Sequence, residues 1–102
     1  LGVTTHHPWF TVQGGAVTYL KKIVSAVGAP RLKARVVSVE EQPTCAKVRL
    51  ADGGELEFDR VILASHADES LAMLAKPDAR TQELLGAFRY EKNHATLHTW
   101  EG

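Results

Sequence analysis

Four apolar residues in a row, Val61-Ile62-Leu63-Ala64, lead directly into a helical pattern through Ser65-His66. A strand with one solvated face alternates apolar and polar side chains, and this run does not. Unbroken apolarity over so short a stretch suits a strand covered on both faces, as in a parallel sheet sandwiched by helices. A parallel strand needs a parallel neighbour, and the only candidate here is Leu32–Glu41. The remaining cover is expected from sequence beyond this chain, which makes the 102 residues an excised piece of something longer. The first residue is Leu1 and the only methionine is Met73, which fits that expectation.

The rest of the chain reads as short elements around this run. Leu1–Gln13 is extended, because Pro8 biases His7 away from helix. Trp9, Phe10 and Val12 suggest a short strand. Gly14-Gly15 breaks the chain, and Ala16–Val27 follows with Leu20, Ile23, Val24 and Val27 at helical spacing. Gly28 and Pro30 stop that helix. Leu32–Glu41 reads as a strand and Cys45–Leu50 as a second, with Ala46, Val48 and Leu50 on one face. Asp52-Gly53-Gly54 is a strong hairpin signal, and Glu55–Phe58 pairs back as a third strand. Ala67–Ala75 and Ala79–Phe88 read as helices, the first turning Leu71 and Leu74 inward, the second Leu84, Leu85 and Phe88. Ala95–Trp100 looks like a final strand. The fold class is therefore α+β: a three-stranded antiparallel meander, one parallel-type strand and three helices.

Charge narrows the functions. Twelve basic and twelve acidic residues give a net charge of zero, and they are interspersed. No electrostatic case exists for nucleic acid or an anionic membrane. The longest strongly apolar run is far too short to span a bilayer, so a cytoplasmic location is expected. One cysteine, Cys45, excludes an internal disulfide framework and reads as a small strand residue. Unpaired sheet edges suggest that the chain forms homodimers.

Few side chains form a chemical constellation. His94 and His98 stand four apart, but no HExxH or cysteine ligand pattern accompanies them, so no metal site is expected. The sequence His66-Ala67-Asp68-Glu69-Ser70 invites a catalytic-triad reading. Near-adjacent residues point in different directions and cannot form that relay. Ser65 suits a helix N-cap instead, with Asp68 and Glu69 in the first turn, where the helix dipole favours negative charge. Gly14-Gly15 lacks the third glycine of GxGxxG and the lysine of a phosphate loop. It reads as a tight entry that lets the helix pack closely on a neighbour. No catalytic residue can be named.

Taken in order, QGGAVTYLKKIV, RVVSVEE, DGGELEFD and VILASHADESLAML resemble the middle of a flavin-containing amine oxidase or phytoene-desaturase-like protein. WFTVQGG, LASHAD and LGAFRYEKNHATLHT resemble more closely a bacterial branch described as NAD/FAD-binding proteins of that superfamily. Where that branch has aspartate after LHT, this chain has Trp100.

The resemblance implies a two-domain flavoprotein that binds FAD on a Rossmann-like domain, with the GxGxxG grip upstream. Residues 1–30 would be a substrate-domain segment, 31–66 the FAD-domain meander and strand, and 67–102 a return into the substrate domain. Val36, with Val37 as the alternative register, would touch adenine through its backbone. Ala64, Ser65 and His66 would lie near the flavin cleft. The parent would be an oxidoreductase passing hydride from a small-molecule substrate to FAD, with the isolated piece expected to hold little FAD and to be inactive. Two rivals fit the same residues: a desaturase or isomerase acting on a lipid-like substrate, and a cofactor-free α+β interaction module.

Overall fold

The computed structural model describes residues 6–101. The chain divides between Lys33 and Ala34 into two compact units. In the first, the segment expected as a strand at Trp9–Val12 has no ladder partner and is irregular, with Trp9 97% exposed. Residues 1–5 of the expected extended segment lie outside the described residues. The chain turns at Val12–Gly15, where Gly15 donates its N–H to the Val12 carbonyl at 3.0 Å. Gly14 and Gly15 have φ of 83° and 85°, a region that side chains with a Cβ avoid. Open space surrounds Gly15, so backbone conformation, and not close packing against a neighbour, is its reason for being glycine. Helix α1, Val17–Val27, follows without a side-chain cap, and none of its residues is buried.

The second unit holds the sheet. Strands β1 (Val36–Glu41), β2 (Ala46–Leu50) and β3 (Glu55–Phe58) form an antiparallel meander in that order. Asp52 shapes the β2–β3 turn by accepting the Gly54 N–H on Oδ1 at 2.8 Å, and Gly53 takes a φ of 89°. The β2 alternation is clean: Ala46, Val48 and Leu50 are buried on one face. On the other face Lys47 pairs with Glu55 at 3.2 Å and Arg49 with Glu55 at 3.5 Å. These exposed pairs add little stability.

Val37 is an extra residue in β1. Val36 pairs with Leu50 and Ser38 with Arg49, so Val37 has no partner in the ladder. This bulge resets the alternation, and Val36 and Val39 both face the core although they stand three apart. The core comprises Val39, Val48 and Leu50, with Ala34, Val36, Leu56, Val61 and Leu63 packed around it.

The run Val61–Ala64 is not a parallel strand within this chain. It forms no backbone ladder among the described residues. Val61 and Leu63 pack onto the core, while Ile62 is 91% exposed. The run is therefore covered on one face only, and among the described residues neither edge has a strand beside it. Parallel pairing with β1 is made instead by the segment after α2, at Val39 and Leu74.

Helix α2 spans Ala67–Met73, and its N-cap is His66, not Ser65. Leu71 and Leu74 are half-buried, and Ser70 is the buried residue of this helix. Helix α3 spans Ala79–Gly86, capped by Asp78, whose Oδ1 accepts the Thr81 N–H at 2.6 Å. Leu85 is its half-buried apolar residue. Leu84 and Phe88, expected inward, are exposed. Helix α2 packs on β1 and α3 on α2. The expected strand at Ala95–Trp100 is irregular, with Leu97 and Trp100 exposed, because nothing described pairs with it.

Candidate functional site

Three of the residues singled out from the sequence meet at one place. Val36, Ala64 and Ser65 line an apolar crevice of about 460 Å³ with Val61, Leu63 and Met73. It forms because Val61–Ala64 crosses the core face of the meander and α2 brings Met73 alongside. Val37 lies just outside, on an adjoining cleft of about 390 Å³ shared by Val36, Glu69, Ala72 and Met73. Val36 and Met73 border both spaces.

The bulge matters for what this edge can bind. β1 is an edge strand, and the described backbone bond on its outer side is Ala75 N–H to the Val39 carbonyl, 2.9 Å. At Val36 and Val37 the ladder is disrupted and Val37 is 41% exposed. Bulges often occur beside functional sites, where the irregular edge can present backbone groups to a planar ligand.

Ser65 and His66 turn in different directions. The Ser65 hydroxyl lies 2.7 Å from that of Ser70, and Ser70 is 5% exposed. The pair closes the turn against the buried side of α2. His66 does not line the crevice. Its ring lies flat on Tyr90, with centroids 4.5 Å apart and planes 4° from parallel. The Tyr90 hydroxyl accepts the Ala67 N–H at 2.8 Å. Asp68 Oδ1 accepts the N–H of its neighbour Glu69 at 2.8 Å. His66, Asp68 and Ser70 therefore hold separate partners, and no relay joins them.

Other candidates stay apart. Cys45 precedes β2 and sits half-buried, with Sγ 3.6 Å from Gln42 Oε1. His94 and His98 are exposed, and the described residues contain no group of three His, Cys, Asp or Glu side chains placed to hold a metal. No described helix is long and apolar enough to cross a membrane.

Tyr90, Met73 and the Val37 bulge were not found as site features by sequence reasoning. A one-residue bulge without glycine or proline leaves no mark in the sequence. The Tyr90 contact joins positions far apart in the chain, which periodicity does not report.

The second unit is a small α+β fold with an apolar crevice at the end of the run Val61–Ala64, beside a disrupted strand edge. The family model of flavin-containing amine oxidoreductases matches residues 7–95. The chain belongs to that family. No curated protein matches it. The disrupted edge of β1 at Val36–Val37 and the apolar wall ending at Ala64-Ser65 are the parts of this chain that could border a flavin nucleotide. A phosphate-binding GxGxxG loop does not occur in this sequence.

Proposed function

We propose that this chain is an internal segment of an FAD-dependent oxidoreductase that takes hydride from a small-molecule substrate. The observation that carries the reading is convergence: within a chain of this family, Val36, Ala64 and Ser65 border one crevice. Backbone groups at Val36 and Val37 hydrogen-bond the adenine. Ala64 and Ser65 form the wall at the end of the apolar run. FAD supplies the electron acceptor. The protein supplies its position and keeps water away through Val61, Leu63 and Met73.

Segments upstream of these residues hold the pyrophosphate on a GxGxxG turn and provide the strands that flank Val61–Ala64. The 102-residue chain alone holds FAD weakly, because it has the adenine border without the phosphate grip.

The test is to purify the complete gene product, record its visible spectrum and identify the released cofactor by mass. Flavin bands and an FAD mass are expected, with bleaching under anaerobic addition of a primary or secondary amine. A colourless, flavin-free protein whose open reading frame lacks GxGxxG overturns the reading.

A further inference from the structure

Glu69 shares a cleft with the Val37 bulge. On α2 it lies on one side of the helix with Ala72 and Met73, and these residues line the cleft of about 390 Å³ with Arg35, Val36 and Val37. Helix α2 packs on β1, so one wall is helical and the other is the disrupted strand edge. Val36 and Met73 also border the apolar crevice. The cleft therefore adjoins the space that takes the rest of the flavin nucleotide.

The Glu69 carboxylate has no partner among the described residues. The residue is exposed, and its side-chain oxygens enter no hydrogen bond and no ion pair there. Arg35 lines the same cleft without pairing to it. An ionised carboxylate accepts hydrogen bonds and donates none. Beside Ala72 and Met73, the cleft thus joins apolar cover to one acceptor-only group. A planar base that carries an amino group meets both. A base with a carbonyl at the same place sets oxygen against oxygen.

We propose that Glu69 is a specificity-determining residue for the base of the dinucleotide. Adenine lies between the bulge and α2, and its exocyclic amine donates to the Glu69 carboxylate. Of the two amine hydrogens, the backbone at Val36–Val37 takes one and Glu69 the other. This role rests on the reading that Val36 and Val37 contact adenine. It adds the side chain that makes the seat prefer an amino-purine to a keto-purine.

The experiment strips the complete gene product of flavin and titrates it with FAD and with the deaminated analogue, flavin hypoxanthine dinucleotide, following flavin fluorescence. Wild type is compared with Glu69→Gln and Asp68→Asn. Asp68 stands in the same helical turn but lines the groove against α3, so it controls for first-turn charge. Glutamine can turn its amide to accept from an amine or to donate to a carbonyl. Wild type and Asp68→Asn are expected to favour FAD, and Glu69→Gln to lose about tenfold of that preference for one charge-assisted hydrogen bond. A wild-type preference retained in Glu69→Gln overturns the proposal, as does an equal loss in Asp68→Asn. If the complete protein binds neither flavin, the functional reading fails, and the same comparison with ADP and IDP decides on the cleft. A Glu69-dependent preference for ADP keeps it as an adenine seat, and the absence of one overturns it.

Discussion

Ala75 donates its backbone N–H to the Val39 carbonyl at 2.9 Å, fastening the end of α2 to the edge of β1. One residue on, Lys76 Nζ meets Glu40 Oε1 at 2.9 Å. The two bonds differ in worth. Val39 is buried, so its carbonyl left unpaired retains the cost of desolvation, whereas the Lys76 ammonium is largely in water. Ala75→Pro removes the donor, and Leu74 already has the extended ψ of 123° that a following proline prefers. That variant is expected to lose about 1–3 kcal/mol in urea unfolding. Lys76→Ala should leave the urea midpoint nearly unchanged. Equal losses for the two variants would contradict this ranking.

The core is small, so each of its members counts. Leu50 is 8% exposed and packs beside Val39 and Val48. Leu50→Ala is expected to cost about 2–4 kcal/mol, enough to leave a chain of this size largely unfolded. Ile62, in the same apolar stretch as two core residues, points outward. Ile62→Lys should keep the melting temperature while reducing self-association, since the run Val61–Ala64 and the edge of β3 are open to a second chain. Light scattering on the 102-residue chain checks this: a dimer that becomes monomeric in Ile62→Lys is expected. A wild-type chain that is already monomeric would remove the basis for self-association.

Legibility in the sequence follows how local each determinant is. Asp52-Gly53-Gly54 fixes a turn through its own backbone and side chain, and β3 has its expected bounds, Glu55–Phe58. The Ala46, Val48 and Leu50 alternation marks the core face directly. Val61–Ala64 was legible as apolar but not as an element, because a strand is defined by neighbours and the described residues supply none. Ser65 has the right chemistry for an N-cap, yet α2 begins one residue later and Ser65 spends its hydroxyl on Ser70. The crevice region was legible at Val36, the start of β1, and at Ala64 and Ser65, the end of the apolar run. The place of Tyr90 was not legible, because it depends on how α3 packs.

Acid should weaken this fold chiefly through the Asp78 cap, with small contributions from Glu40 and Glu55. The Thr81 backbone N–H holds the Asp78 carboxyl below its ordinary value of 3.8. Lys76 does the same for Glu40, and Lys47 for Glu55, from ordinary values of 4.5. A folded-state value below the unfolded one gives stabilisation that is whole above the unfolded value and is lost as pH falls through the folded value. Lys47 has the opposite sense: Glu55 raises it above 10.5, so its contribution is lost only in strong base. Urea midpoints should therefore begin to fall below about pH 4.5 for these groups. Asp78→Asn keeps a cap that cannot titrate and should flatten the lowest part of that fall, while Asp78→Ala should lower stability at neutral pH as well. An Asp78→Asn profile that overlays wild type would remove Asp78 from the account.

The Val37 bulge allows fold and function to be separated. Without Val37, Val36 opposite Leu50 would be followed at once by Ser38 opposite Arg49 and Val39 opposite Val48. That is a regular ladder, and Val36 and Val39 would still face the core by ordinary alternation. Deleting Val37 is thus expected to keep the sheet, with circular dichroism and urea midpoint close to wild type. If the irregular backbone at Val36–Val37 holds adenine, the deletion restores the regular edge and removes the bonding groups. The complete gene product should then lose flavin on purification. Val37→Ala keeps the bulge and its backbone and should keep the flavin. A deletion variant that folds and retains full flavin occupancy would rule out the bulge as the adenine contact. Flavin loss in Val37→Ala with the sheet intact would assign the contact to the Val37 side chain instead of its backbone.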